Sequence, residues 1–318
     1  MRHVERLGNE IRFTLPSDED GLTGRECPSN ECEGYFKIQF GTGLKGENLP
    51  CHCPYCGHCD GHDKFFTKEQ VNYVESVALN KVTDALLKDL KSLEFQTRPK
   101  GAFGIGISMK VKGRPHPIRY YREKQLETEV ACDRCTLRYM IYGVFGFCPD
   151  CGVHNSLQIL KKNLELIEKM LTFAETQEPA LAQMWIANAL EDCVAAFDGF
   201  GRETCRVFSD KAADASKATN ISFQNIDRAN QRVQDLYGVD FTKGLDADQW
   251  ALVLRCFQKR HLLAHKMGVI DQDYIDATRD TSAVVGRKIQ IQPAEVRRLL
   301  TALRTIGEQS FDSLTRKP

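Results

Sequence analysis

Paired cysteines constrain the fold of this chain more than any other sequence feature. Cys132 and Cys135 form one Cys-x2-Cys pair, and Cys148 and Cys151 form another, with about a dozen residues between the pairs. Each pair is expected to make a tight turn that presents two thiolates, and two such turns close a tetrahedral site for zinc. The residues between the pairs are rich in strand formers. The sequence therefore predicts a structural zinc ribbon here.

A second group of cysteines lies nearer the N-terminus and is less regular. Residues 53–57 (Cys-Pro-Tyr-Cys-Gly) repeat the pattern of residues 148–152 (Cys-Pro-Asp-Cys-Gly). We therefore expect a second zinc ribbon, with alternative ligands in Cys51, Cys59 and His58. Because all-Cys zinc sites leave no open coordination position, both metals are predicted to be structural. The expected ligands of the second ribbon are Cys27, Cys32, Cys53 and Cys56.

Composition bears on the cellular compartment. The chain has 318 residues and thirteen cysteines, with no signal-peptide pattern at its start and no apolar run near the ~20 residues of a membrane span. We expect a cytoplasmic protein without a membrane partner, in which clustered cysteines bind metal rather than form disulfides. The 43 basic and 43 acidic residues balance, so any nucleic-acid binding has to rest on local patches.

The segment 98–124 is one such patch. Glu123 is its single acid, and tyrosines are interleaved with its cations, so the segment is a candidate for binding nucleic acid through phosphates and stacked bases. Its glycines and prolines predict strands and turns. A solvated β-hairpin packed on the neighbouring ribbon is the alternative interpretation. The candidate contact residues are Lys110, Lys112, Arg114, Arg119, Tyr120 and Arg122, in a segment that also contains Arg98, Lys100 and Lys124.

Apolar periodicity predicts helices over residues 67–95, 180–213, 220–238, 246–266 and 293–315, with a further heptad-like seam of apolar residues between 157 and 174. Single cysteines on these helices, Cys193, Cys205 and Cys256, are expected to be buried as small apolar residues.

The predicted fold class is multidomain, with β-rich zinc-ribbon modules and an intervening helix, followed by an all-α bundle. The predicted bounds are 1–66 for the first ribbon, 67–97 for the connecting helix, 98–155 for the basic β segment with the second ribbon, and 156–318 for the helical domain.

The helix predicted over 246–266 contains the candidate catalytic residues. Asp246 and Gln249 have the spacing of a capping box, and Gly268 marks its expected end. Arg260 and His265 lie near that end. An arginine can hold phosphate and a histidine can move protons, which is enough to cut a phosphodiester without a metal. A helix end solvated by polar groups is the alternative.

Two geometric points limit this interpretation. His261 and His265 share one face of the helix, but a zinc-protease motif needs glutamate where Leu262 stands. Arg260 and His265 are about 140° apart around an ideal helix, so one helix does not bring them together well.

Residues 257–274 resemble the signature of HEPN domains, especially those of RiboL-PSP-type ribonucleases. That signature is an arginine, a polar residue directly after it and a histidine a few positions on, then a Gly-Val-Ile-Asp stretch and an aromatic residue. In this chain these are Arg260, His261 and His265, then residues 268–271 and Tyr274. The resemblance covers about residues 176–318, a little under half of the chain.

The resemblance implies a HEPN-like helical bundle that pairs as a homodimer, so that two motifs form one cleft. It implies a metal-independent endoribonuclease in which the ribose 2′-OH attacks the adjacent phosphorus and leaves a 2′,3′-cyclic phosphate. Arg260 would neutralise developing charge, His265 would shuttle protons, and His261 would orient the phosphate or second the proton transfer.

Many similar proteins act in toxin–antitoxin or antiphage systems, which implies an antitoxin or sensor partner. The alternative functions are a non-catalytic HEPN and zinc-ribbon interaction module, and a nucleic-acid-binding regulator that acts through the basic segment.

Overall fold

The computed structural model describes residues 2–8, 10–46, 48–96 and 107–315, and the chain divides into two compact units, Met1–Val153 and His154–Pro318. The first unit contains helices α1 (Arg2–Glu5) and α2 (Lys68–Lys91) and strands β1 (Leu22–Glu26), β2 (Tyr35–Gln39), β3 (Pro50–His52), β4 (Cys59–Gly61), β5 (Phe95–Gln96), β6 (Ser108–Met109), β7 (Thr128–Ala131) and β8 (Arg138–Ile141). The second unit contains helices α3 (Ser156–Ala174), α4 (Pro179–Val207), α5 (Ala215–Ala218), α6 (Ile226–Tyr237), α7 (Ala247–Lys266), α8 (Gln272–Thr278) and α9 (Pro293–Thr315).

An antiparallel four-stranded sheet with the order β1-β2-β8-β7 organises the first unit. Its central pair joins chain segments about a hundred residues apart, with Lys37 opposite Met140 and Ile38 opposite Tyr139. Ile38 and Tyr139 are buried in the core beneath the sheet. Both groups of paired cysteines therefore belong to one compact unit, a connection that the sequence, treated as two separate ribbons, did not predict.

Helix α2 begins where the sequence predicts. The Thr67 side chain accepts a hydrogen bond from the Gln70 amide, and the Gln70 side chain accepts one from the Thr67 amide, which completes a capping box. Gln70 Nε2 also donates to the Gly24 carbonyl at 2.8 Å, so the start of α2 is tied to β1. The predicted apolar stripe is only partly buried, since Val77 is covered whereas Val71 and Leu90 are exposed.

The second unit is helical, with α3, α4, α7 and α9 packed against one another. The predicted seam on α3 is buried at Leu160, Leu164, Ile167 and Leu171. Phe197 of α4 lies at the centre of an aromatic cluster, with ring centroids 5.9 to 6.5 Å from those of Phe200, Phe223, Phe241 and Phe257. This cluster buries one face of α7 and so holds the helix of the candidate catalytic residues in place.

A glycine allows part of that cluster to form. A Cβ atom at Gly201 would lie 2.5 Å from the Phe223 ring, closer than real side chains approach, so only glycine lets the ring rest on the α4 backbone. The single cysteines Cys193, Cys205 and Cys256 are buried, as predicted, and burial raises the pKa of Cys205 and Cys256 to about 12. Among the described residues, no helix combines the length and apolar composition needed to cross a bilayer.

The helix predicted over 180–213 ends earlier, at Val207. Phe208 leaves the helical conformation with φ −103° and ψ 26°, and a short 3-10 turn at Ser209–Lys211 follows. The predicted helices over 246–266 and 293–315 match α7 and α9 closely.

A polar contact near the end of α4 makes the stability of the second unit depend on pH. Glu203 accepts hydrogen bonds from Arg206 at 2.7 and 2.9 Å, and the buried His154 ring lies 3.4 Å from its Oε1. Burial alone would raise the pKa of Glu203, but the bonds from His154 and Arg206 outweigh it and lower this pKa from 4.5 to about 2. Ionised Glu203 therefore stabilises the folded unit above about pH 4.5, and this contribution is lost as pH falls through 2.

We expect Glu203→Gln to unfold more easily than the wild type at pH 7, by about 1–3 kcal/mol, because charge-assisted hydrogen bonds are lost. The difference should shrink as pH falls from about 5 towards 2, where wild-type Glu203 becomes protonated. Both tryptophans, Trp185 and Trp250, lie in the second unit, so their fluorescence during urea unfolding reports on it alone. The exposed Glu191→Gln on the same helix is the matched control. A stability difference that stays constant over this pH range would contradict the assignment.

Candidate functional site

Four cysteine sulfurs converge at the first cluster. The Sγ atoms of Cys27 and Cys56 are 3.7 Å apart, those of Cys32 and Cys53 are also 3.7 Å apart, and all four lie within 4.8 Å of one another. These are the cysteines that the sequence pattern selects. Cys51, Cys59 and His58, the alternative ligands, lie outside this four-sulfur group.

The second cluster has the same form. The Sγ atoms of Cys132 and Cys151 are 3.7 Å apart and those of Cys135 and Cys148 are 3.4 Å apart, again with all four sulfurs within 4.8 Å. The first three of these residues in chain order are buried and Cys151 is half-buried. All eight cysteines are free rather than disulfide-bonded.

The distances fit a tetrahedral metal. A zinc–sulfur bond of about 2.3 Å with tetrahedral angles places the sulfurs about 3.8 Å apart, whereas a disulfide would place two of them about 2.05 Å apart. Soft thiolate ligands in a closed four-sulfur set favour zinc over magnesium or calcium. Both tetracysteine clusters are therefore compatible with structural zinc sites.

A recurring backbone turn forms each half of these clusters. The residue after the second cysteine of each pair has a positive φ, at 44° for Glu33, 73° for Gly57, 66° for Thr136 and 66° for Gly152. In the second cluster the Thr136 amide donates to the Cys132 carbonyl at 2.8 Å, one turn back along the chain. Glycine adopts this conformation freely, whereas the β-branched Thr136 is strained there.

The candidate catalytic residues lie on the last two turns of α7. The helix begins with the predicted capping box between Asp246 and Gln249. It ends with Met267 in the left-handed conformation, and the Gly268 amide donates back to the Leu262 carbonyl at 2.9 Å. The sequence therefore placed both ends of this helix correctly.

The structure brings His261 and His265 together. Their ring centroids are 4.7 Å apart, and both side chains are exposed. Arg260 is half-buried and, among the described residues, no carboxylate forms an ion pair with it. One α7 helix thus presents two adjacent imidazoles and an unpaired guanidinium, while the angular separation of Arg260 from His265 around the helix remains about 140°.

Other cations of α7 are used for packing. Lys259 Nζ contacts Glu295 Oε2 at 2.7 Å and donates to the Gln290 carbonyl at 2.9 Å. Arg255 Nε lies 3.5 Å from the same Glu295 carboxylate. Glu295 of α9 thus pairs with both Lys259 and Arg255, whereas Arg260 has no ion pair among the described residues.

His261 also borders a small cleft between the start of α6 and α7. The cleft has a volume of about 170 Å³, whereas sites for small organic ligands usually measure about 300–1,000 Å³. A single copy of this unit therefore holds too little space here to enclose a nucleotide. The cleft is lined by Gln224, Asn225, Ile226, Asp227, Leu254, Phe257, Gln258 and His261.

Exposed apolar side chains lie directly after the motif. Met267 is 83% exposed and Val269 is 42% exposed. The amide of Gly286 donates to the Ile270 carbonyl at 2.8 Å, which brings the exposed Val284 and Val285 to the same region. We call these four residues (Met267, Val269, Val284 and Val285) the apolar patch. A patch of this kind often marks a contact with another protein.

The basic segment is only partly a β-structure. Within its described part, residues 107–124, Ser108–Met109 forms a strand that pairs antiparallel with Phe95–Gln96, and the rest is an irregular chain; Arg98 and Lys100 lie outside the described residues. All six candidate contact residues in this segment are exposed, and Tyr120 is 77% exposed. The structure thus leaves them accessible.

No known protein-family model, curated protein or solved structure matches this chain. The HEPN resemblance of residues 257–274 therefore stays a prediction from the residues themselves. The sequence also gave no sign of the polar cleft beside His261, because Asp227 and Gln258 meet there only through the packing of α6 on α7.

The strained turn at Thr136 gives a test of the cluster geometry. We expect Thr136→Gly to be more stable than Thr136→Ala by about 1 kcal/mol, since both lose the hydroxyl but only glycine relieves the positive φ. Calorimetric unfolding of the purified protein measures the difference. At Thr128, in strand β7, the alanine variant should be more stable than the glycine variant, because alanine loses less chain entropy than glycine on folding. Equal stability of the two Thr136 variants would show that this turn is not strained.

Proposed function

We propose that this protein is an endoribonuclease that cuts RNA with its own side chains and uses two zinc ions only for structure. The observation that supports this best is the pair of exposed, adjacent imidazoles of His261 and His265 next to the unpaired Arg260. The resemblance to HEPN ribonucleases points to the same three residues.

The reaction would proceed by transfer of the phosphorus from one ribose oxygen to another. One imidazole takes the proton of the 2′-OH, whose oxygen attacks the adjacent phosphorus. The bond to the 5′-oxygen breaks, and the second imidazole, in its protonated form, gives that oxygen a proton. The products are a 2′,3′-cyclic phosphate and a 5′-hydroxyl. DNA has no 2′-OH and would not be cut.

Arg260 would act on the charge that develops in this step. The non-bridging oxygens of the phosphorane carry more negative charge than those of the starting phosphodiester, and a guanidinium can donate two parallel hydrogen bonds to them. Preorganised donors of this kind typically change rates by about 10²–10³.

A second copy of the chain would complete the site. Arg260 and His265 diverge around one helix, and the cleft beside His261 holds only about 170 Å³. The apolar patch, with Met267 two residues beyond His265, offers a surface for self-association. Two motifs facing each other would bring the Arg260 of one copy towards the His265 of the other and enlarge the space for a nucleotide.

Zinc at the two cysteine clusters would stabilise the first unit. Each ion would take four thiolates, which leaves no position for substrate or water. Zinc bound there supplies folding free energy rather than chemistry.

Cleavage of a labelled RNA tests the catalytic proposal. We expect Arg260→Ala and His265→Ala each to lower the cleavage rate at least about 100-fold, because one removes charge stabilisation and the other a proton carrier. The exposed Arg304→Ala on α9 is a matched control that should cut at the wild-type rate. Cleavage should continue in a chelator, the DNA of the same sequence should stay intact, and the product should carry a cyclic phosphate.

Mixing the two inactive variants tests the composite site. If Arg260 of one copy acts with His265 of the other, a mixture of Arg260→Ala and His265→Ala should regain part of the wild-type activity. Absence of recovery in mixed dimers would place the whole site in one copy. Folded, dimeric wild-type protein that leaves structured and unstructured RNA intact would contradict the ribonuclease proposal itself.

Metal content tests the structural sites. We expect about two zinc ions per chain by elemental analysis, and about one in either Cys53→Ser or Cys148→Ser. Cys59→Ser is the matched control in the first ribbon, since this exposed cysteine lies outside the four-sulfur group, and it should keep both ions. A wild-type protein with one zinc would remove the first, less regular cluster from the proposal.

A further inference from the structure

The basic segment forms a defined surface feature, residues 107–124, that we call the strap. The strap runs antiparallel to α2. The His116 amide donates to Thr83 Oγ1 at 2.8 Å, and Asn80 Nδ2 donates to the His116 carbonyl at 2.6 Å. Further along, the Arg119 amide donates to Ser76 Oγ at 2.9 Å. These bonds use the strap's backbone groups on the side that faces the helix.

The strap is an elongated chain that is not helical. A Cβ atom at Gly113 would touch Leu87, and Glu123 lies 3.4 Å from Gln70 Nε2, so about ten strap residues follow roughly 26 Å of α2. The rise is about 2.6 Å per residue, well above the 1.5 Å of a helix and below the roughly 3.3–3.6 Å of a fully extended chain. Its side chains are therefore spread along a line rather than gathered around an axis.

The single acid of the strap points inward. Glu123 Oε1 accepts a hydrogen bond from the Gly24 amide at 2.9 Å, and Oε2 accepts one from the Tyr35 hydroxyl at 2.5 Å. Burial and this carboxylate together raise the pKa of Tyr35, so the phenol stays protonated as the donor. Glu123 is thereby removed from the outer surface, where it would otherwise neutralise neighbouring cations.

The outer surface of the strap is cationic with one aromatic ring. Tyr120 is 77% exposed. Its ring centroid lies 6.0 Å from that of Tyr73 on α2, so the Tyr120 ring packs against the helix on one side. Among the described residues, no carboxylate forms an ion pair with the cations of this surface. These exposed cations are Lys110, Lys112, Arg114, Arg119 and Arg122.

We propose that the strap binds single-stranded RNA, with its cations on consecutive phosphates and Tyr120 stacked on an unpaired base. A line of unpaired cations suits a linear polyanion. The exposed tyrosine favours a single strand, because only unpaired bases offer a free face for stacking. The choice of RNA rests on the proposed ribonuclease function, whereas strap-dependent binding of a single strand does not.

The test is a binding measurement in a chain that does not cut. Fluorescence anisotropy of a labelled 20-nucleotide RNA is measured with two full-length proteins. The parent carries only His265→Ala. The triple variant carries His265→Ala and also has Lys110, Lys112 and Arg114 changed to glutamine. We expect at least a tenfold loss of affinity, and a decrease of about 2 in the slope of log affinity against log salt, at about 0.7 per phosphate contact. A charge-matched control changes the exposed Lys169, Lys243 and Arg304 to glutamine and should bind like the parent.

Tyr120 separates base stacking from charge. Tyr120→Ala should weaken binding about 5- to 150-fold with an unchanged salt slope, and Tyr120→Phe should restore it. Equal binding by parent and triple variant would overturn the proposal. So would equal affinity for duplex RNA or anionic vesicles with no effect of Tyr120→Ala, which would mark a general polyanion surface.

The readouts distinguish this proposal from the ribonuclease proposal. If the wild type cuts RNA but the strap variants bind normally, the strap proposal fails alone. If strap-dependent binding is found but the wild type never cuts RNA, the ribonuclease proposal fails alone. A single-stranded DNA of the same sequence, bound as tightly as RNA, would then overturn the choice of RNA.

Discussion

The convergence of four cysteine sulfurs at each of two clusters is the constraint on which the first unit depends. Thiolates within 4.8 Å of one another repel unless a cation lies among them. The sheet that joins the two cysteine-bearing segments has strands of only four or five residues. Such short strands bury little surface, and metal bound by four thiolates would add folding free energy to the sheet. Metal bound at the two clusters and the β2–β8 pairing would therefore support each other.

The β2–β8 pairing also requires the chain to return to the sheet after α2. Because β2 and β8 are neighbours, the chain that leaves the sheet after Gln39 has to return to it before Arg138. Helix α2 takes the chain outward over about 36 Å, and the strap brings it back alongside the helix, with His116 bonded to Thr83 and Asn80, and Arg119 bonded to Ser76. An extended chain held to α2 through its backbone leaves long side chains on its outer side, and in this sequence most of these are cations.

Local signals predicted more of this molecule than long-range ones. The cysteine pairs, the capping box at Asp246 and the stop at Gly268 each depend on residues a few positions apart, and the structure shows all of them. The contact of His261 with His265 also follows from their spacing on one helix. By contrast, the β2–β8 pairing, the inward turn of Glu123 and the cleft beside His261 depend on residues far apart in sequence. No periodicity or spacing encodes such contacts, so these features required the structure.

On α7 and on the strap, the nearby acid is bound to other partners, and Arg260 and the exposed cations of the strap have no ion pair among the described residues. On α7, Glu295 pairs with Lys259 and Arg255 and leaves Arg260 free of it. On the strap, buried partners hold Glu123 and leave the cations unopposed. A chain with 43 basic and 43 acidic residues can thus present unpaired positive charge at two places without being a basic protein. At physiological ionic strength such fields extend only about 8 Å, so these cations act on an anion in contact with them rather than at a distance. Binding would then depend strongly on salt at each surface, although the average charge of the molecule predicts no attraction to a polyanion at all.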